Sequence, residues 1–194
     1  MLKKAVRKML KKIKIAGFAT LLALSLTACQ TADQSYKAGY DQLLLQTVYD
    51  KIKITGRIGL ISKAQKTSLR FVLEKDKNLK TLHLLSPIGH TLASLFITDN
   101  FVRLKSSDGQ IDGTSLKDVL YEASGISLPD DNILALIMGA LDEVTLDKKG
   151  YPLKAQVGDF FINYKGFATR QSLMLPSSID IKHTNYRLKI ALDD

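Results

Sequence analysis

The chain has 194 residues, 45% of them hydrophobic, with one cysteine, no tryptophan and a formal net charge of +9. A lone cysteine excludes an internal disulfide framework. Of the 28 basic residues seven precede Ile15, and no acidic residue precedes Cys29, so the chain beyond Ala28 carries 21 basic against 19 acidic residues; the high isoelectric point comes from the first segment and gives no support to a nucleic-acid partner.

In chain order, Lys3, Lys4, Arg7, Lys8, Lys11, Lys12 and Lys14 form the positive head of a secretory signal. The apolar run from Ile15 to Leu26 is shorter than the roughly 20 residues that span a bilayer, which fits a signal core. Leu26-Thr27-Ala28-Cys29 resembles the lipobox of bacterial lipoproteins: small residues fit a cleavage pocket and the thiol takes a lipid. Residues 1–28 are then a removed signal peptide, and Cys29 is the lipid attachment site, bearing covalent N-acyl and S-diacylglycerol groups. A leftover free thiol is the plainer alternative, but the position of Cys29 directly behind the apolar run argues against it. Two or more acyl chains, at about 0.8 kcal/mol per buried methylene, anchor a protein far better than one, so no transmembrane helix is needed. By resemblance to the bacterial sorting rule, Gln30 in place of an aspartate implies outer-membrane residence facing the periplasm.

The 166 residues from Cys29 to Asp194 suit one domain. Residues 29–40 read as a polar tether and residues 41–194 as the folded part. A helix is expected over Tyr40 to Asp50, with Leu43, Leu44, Thr47 and Val48 on its apolar side. From Lys51 the period becomes two: Ile52, Ile54, Ile58 and Leu60 alternate with Lys53, Thr55, Arg57 and Gly59, the mark of a strand with one buried face. For Arg57 a solvated strand position is preferred over one that faces the cavity or steadies the lid. Leu69, Phe71 and Leu73 continue the pattern, Asp76-Lys77-Asn78 turns the chain, and a short strand follows near Lys80 to Ser86. Further strands fit Thr91 to Thr98 and Phe101 to Ser106, before a turn at Ser107-Asp108-Gly109. A helix from Ser115 to Gly125 presents Leu116, Val119, Leu120 and Ala123, with Ser115 and Asp118 as a capping-box-like pair. A second, apolar around most of its circumference, opens at Pro129-Asp130-Asp131 and stops at Gly139. Strands return at Leu153 to Val157, Phe160 to Tyr164, Ser178 to Lys182 and Tyr186 to Leu192. Apolar helices inserted in an antiparallel meander pack on one face of the sheet.

From Thr55 onward the chain resembles the LolB family of outer-membrane lipoprotein receptors. The resemblance rests on Gly56-Arg57-Ile58-Gly59, Ser68-Leu69-Arg70-Phe71, Ser86-Pro87-Ile88-Gly89 with Thr91-Leu92, Gly125 to Pro129, Ile137-Met138-Gly139, Tyr164-Lys165-Gly166-Phe167, Leu175-Pro176 and Arg187-Leu188-Lys189. Family members commonly carry several tryptophans; here Phe160, Phe161 and Ala191 are the candidates for those places. The resemblance implies a mainly β fold with a helical lid (α+β): an unclosed antiparallel barrel of about 10–11 strands with three helices enclosing an apolar cavity. It implies a monomer that receives acylated lipoprotein cargo from a LolA-like periplasmic carrier and passes it to outer-membrane lipid, with no cofactor, metal or nucleotide. Ile58, Leu60, Leu69, Phe71, Leu82 and Leu84 are the candidate cavity wall, with Leu120, Ile133 and Ile137 from the lid. The family pattern places an apolar residue at the tip of a protruding loop, and that membrane-delivery role falls on Ile88.

Two other classes compete. An enzyme needs a site, and none is visible: Gly125-Ile126-Ser127-Leu128-Pro129 lacks the second glycine of a nucleophile elbow, and His83, His90 and His183 lack metal-ligand spacing. Ser86 beside His90 reads as a turn serine near a loop histidine. A lipid-anchored scaffold without a cavity would show the same alternation of apolar and polar residues, and a filled interior would distinguish it.

Overall fold

A computed structural model describes residues 38–63 and 65–194; the signal segment, Cys29 and most of the tether lie outside the described residues. Eleven strands form one antiparallel sheet in the order β6-β5-β4-β3-β2-β1-β13-β12-β9-β8-β7. The long strands β1 (Lys51–Ser62) and β2 (Lys66–Asp76) sit near its middle. On one side follow β3 (Leu79–Leu85), β4 (Thr91–Ile97), β5 (Val102–Ser106) and β6 (Gly109–Gly113). On the other side lie β13 (Tyr186–Leu192), β12 (Ser178–Lys182), β9 (Phe160–Lys165), β8 (Pro152–Val157) and β7 (Val144–Leu146). The sheet is unclosed, with β6 and β7 at its ends, and β10 (Ala168–Arg170) pairs separately with β11 (Leu173–Leu175).

Alternation decides the faces. Because successive side chains point to opposite sides, the register carries continuous apolar rows across the inner face. One runs Ile54, Leu73, Leu82, Leu95, Leu104 and Ile111; another runs Ile58, Ile190, Ile179 and Tyr164. A one-residue slip would turn these rows to water, so burial fixes the register. Gly56 stands beside Phe71, and a Cβ there would lie 2.7 Å from Phe71 Cε1 and against the Ala191 carbonyl. Gly56→Ala is therefore expected to lower stability by about 1–3 kcal/mol through overpacking, read as a shift of the urea midpoint; an unshifted midpoint would contradict this packing.

Three helices among the described residues lie on the inner side. α1 covers residues 38–47 and buries Gly39, Leu43 and Gln46, while Leu44, Leu45 and Val48 are exposed. The buried stripe differs from the expected one because the Gln46 amide pairs with the backbone of Met174 in β11, accepting from its N–H and donating to its carbonyl. α2 (Leu116–Ser124) is capped by Ser115 and ends at Gly125, whose φ of 69° suits glycine. α3 (Ile133–Met138) starts from Asn132, whose side chain accepts from Ala135 N, and ends at Gly139. It begins later than Pro129-Asp130-Asp131 suggests because Asp131 serves the other helix, accepting from Ser115 Oγ at 3.0 Å and Lys117 N at 2.9 Å.

Asp131 also gives a pH signature. Burial raises its carboxyl pKa, but hydrogen bonds from Lys117 and Ser115, with the Lys117 ammonium, outweigh burial and hold it below the ordinary value. The unfolded chain then takes up the proton first as pH falls. This stability is present above about pH 4 and lost as pH drops through the folded pKa. Asp131→Ala is expected to cost about 1 kcal/mol near neutrality and to flatten the acid limb of the stability profile, measured by urea melts at several pH values; an unchanged limb would contradict the assignment.

Candidate functional site

The interior is divided along the strand direction. Toward one end Leu43, Ile54, Leu73, Leu95 and Leu175 are fully buried and fill the space between sheet and helices. Toward the other lies a cavity of about 430 Å³, inside the roughly 300–1,000 Å³ range of small-molecule pockets.

All nine residues expected at the wall line this cavity: Ile58 and Leu60 from β1, Leu69 and Phe71 from β2, Leu82 and Leu84 from β3, Leu120 from α2, and Ile133 and Ile137 from α3. Reading the sequence missed Ala93 and Leu104 from β4 and β5, Leu188 and Ile190 from β13, and Ile126, Leu128 and Leu136 from the helical layer. For Leu188 and Ile190 the signal was present as alternation. What local pattern could not give is the pairing of β13 with β1, which sets Leu188 opposite Leu60 and Ile190 opposite Ile58 across more than a hundred residues of chain. Phe160, Phe161 and Ala191, the candidates for the missing tryptophan places, are absent from the wall. Phe160 instead stacks on His183, with ring centroids 4.8 Å apart.

The polar lining residues Gln65, Thr67, Ser106, Asp108 and Ser124 mark the mouth. The first six strands form an antiparallel meander, so the β1–β2, β3–β4 and β5–β6 turns share this end. The lid is tied down by polar contacts outside the apolar wall. Tyr186 Oη donates to the Ser127 carbonyl at 2.6 Å and accepts from its N–H at 2.9 Å, so Ser127 holds the α2–α3 connection to β13. Tyr164 Oη donates to the Leu136 carbonyl at 2.9 Å from a site where burial pushes the phenol pKa up. Tyr164→Phe leaves that buried carbonyl unpaired and is expected to cost about 1–3 kcal/mol, measured by urea unfolding; wild-type stability would show that α3 is held by packing alone.

At the same end β3 leaves its ladder where the register shifts at Leu84 and Leu85. The Ser86–His90 connection closes on itself: Ser86 N donates to His90 O at 2.8 Å, Gly89 N to Ser86 O at 2.9 Å, and His90 N to Ser86 Oγ at 3.1 Å. The Ser86 hydroxyl and the His90 backbone are thus consumed in building a turn. Gly89, at φ 93°, lets the chain reverse, and Ile88 stands out 81% exposed. Among the described residues no group of three or more His, Cys, Asp or Glu side chains is placed to hold a metal ion, and no helix is long and apolar enough to cross a membrane.

Residues 50–194 match the model of the family described as outer membrane lipoprotein LolB. The chain is similar to the outer-membrane lipoprotein LolB of Halorhodospira halophila, at 23% identity over 186 residues and 92% of each chain. It is similar to that of Pseudoalteromonas translucida at 26% identity over 149 residues, covering 73% of this chain and 74% of the relative. Among solved structures, a LolA superfamily protein from Nitrosomonas europaea superposes with a TM-score of 0.51 at 10% identity, over 79% of this chain and 91% of that one. That likeness is one of fold.

Proposed function

Since the chain belongs to the LolB family of outer-membrane lipoproteins, we propose that it takes acylated lipoproteins from a soluble LolA-like periplasmic carrier into the apolar cavity and inserts them into the outer membrane, itself held there by the lipid on Cys29. It is a transport protein and not an enzyme. The observation that carries the reading is the open apolar cavity lined from both sheet and lid, against which a scaffold would have a filled interior.

The physical task is to move an acyl chain without exposing it to water. At about 0.8 kcal/mol per methylene, releasing a chain of ordinary length into water costs on the order of 10 kcal/mol. Continuous apolar surface is required from donor to acceptor. The cavity wall supplies it, and the polar groups at the mouth keep the cargo's polypeptide outside. Transfer by relative affinity needs no nucleotide.

The test of the cavity is binding of a fluorescent fatty acyl probe to the protein from Gln30 onward, which contains every described element of the sheet and helices. Saturable binding with a blue shift supports the carrier reading. A folded protein that leaves the probe in water would favour the scaffold.

A further inference from the structure

The outer face of the sheet is the unexplained surface. All three helices lie on the inner side: α2 and α3 contribute cavity wall, and α1 accepts at its Thr47 carbonyl from Lys75, which shares the inward register of Phe71 and Leu73. Among the described residues no helix lies on the other side, and the β10–β11 turn reaches it at one end, where Gln171 Nε2 donates to Thr55 Oγ1 at 3.2 Å. Across its middle strands the register gathers cations. Arg57 of β1 stands directly opposite Arg70 of β2. Lys66 of β2 is opposite Ile61, which is opposite Arg187 of β13, which is opposite Lys182 of β12. Lys189 fills the step between and faces Asp180.

Asp180 is the one acid in this block and it is taken, since both its oxygens accept from Arg187 at 2.5 Å. Arg57 and Arg70 are exposed and have no ion pair or hydrogen bond from their side chains among the described residues. Like charges placed directly opposite on a sheet oppose its formation. A chain whose part beyond the signal is nearly charge-balanced has nonetheless collected them here.

The neighbouring feature says what they meet. Arg70 is paired with Leu85, the last residue before the connection that exposes Ile88, so the cationic surface runs without a break into an apolar tip. Cations are attracted to anionic headgroups and an exposed apolar group gains by entering the acyl boundary, so the two side by side are complementary to an anionic bilayer.

We propose that the basic outer face, centred on Arg57, Arg70 and Lys189, docks on the anionic headgroups of a phospholipid bilayer and lays the protein along the membrane with Ile88 at its leading end. This deepens the delivery reading above. The test is co-sedimentation of the protein from Gln30 onward with vesicles of phosphatidylethanolamine alone or mixed with phosphatidylglycerol, at low and high salt, for the parent and an Arg57→Gln, Arg70→Gln, Lys189→Gln variant. The fluorescent acyl probe is bound in parallel to report the cavity. Each cation near an anionic surface contributes about a fivefold gain in binding, so the variant should bind the mixed vesicles roughly 100-fold more weakly while keeping its probe affinity. The parent should lose its preference for them in high salt. Equal binding of parent and variant, or parent binding that ignores phosphatidylglycerol, would overturn the proposal. A variant that keeps vesicle binding but loses transfer from the carrier in solution would assign the face to an acidic protein and overturn it equally. Loss of probe binding by the parent would count against the cavity and not against this face.

Discussion

Replacing Leu60 and Leu69 together by glutamate should leave a folded protein that binds acyl chains at least about 100-fold more weakly. Both side chains line the cavity near Gln65 and Thr67, and both are only partly buried. In the empty protein each carboxylate can reach water through the mouth, so the cost to folding is small. An acyl chain entering the cavity must strip that water away, and a polar group buried without a compensating hydrogen bond costs roughly 2–7 kcal/mol. At 1.4 kcal/mol per factor of ten, two such groups more than supply the loss. The measurement is a probe titration with circular dichroism on the same samples. A native spectrum with undiminished affinity would show that acyl chains bind elsewhere.

The second large effect separates receiving from delivering. Ile88→Glu changes a residue that touches no part of the cavity wall and stands free in a turn closed by its own backbone. Stability and acceptance of cargo from the carrier should therefore be unchanged. Burying the isoleucine side chain in a bilayer contributes roughly 1.5–3 kcal/mol, and a carboxylate removes this while adding repulsion from anionic lipid. Delivery into vesicles should slow about 10- to 100-fold, followed as the partition of labelled cargo between soluble and vesicle fractions. A variant that accepts and delivers at the normal rate would remove Ile88 from the mechanism.

How much of this was legible in the sequence follows from where the information lies. The strands with strict alternation, such as Ile52 to Leu60 and Leu188 to Leu192, declare both their existence and their inward faces, and the nine expected wall residues come from them and from the two apolar helices. Other strands carry no such mark. β6 reads Gly109-Gln110-Ile111-Asp112-Gly113 and sits at a sheet edge, where only Ile111 needs an apolar partner. β7, β10 and β11 have three residues each, too few to show a period. The β10–β11 turn is made by Gln171 and Ser172, both at positive φ, without the glycine or asparagine that announces such turns. The start of α3 was displaced by a tertiary demand on Asp131. Cavity and core are indistinguishable by pattern: Leu73 and Leu84 occupy equivalent inward positions, yet one is fully buried and the other faces a void. Only the register and the seating of the helices separate them. The basic outer face was hidden for the same reason, since Arg57, Arg70 and Lys189 are far apart in sequence and meet only through pairing.

The most direct test of the central claim is transfer of an acylated lipoprotein from its periplasmic carrier to the purified protein from Gln30 onward, made without its own lipid and with no nucleotide present. Cargo that moves to this protein and leaves the carrier empty is the expected result, with the anchor serving only for location. Cargo that stays on the carrier, although circular dichroism shows the acceptor folded, would contradict the account.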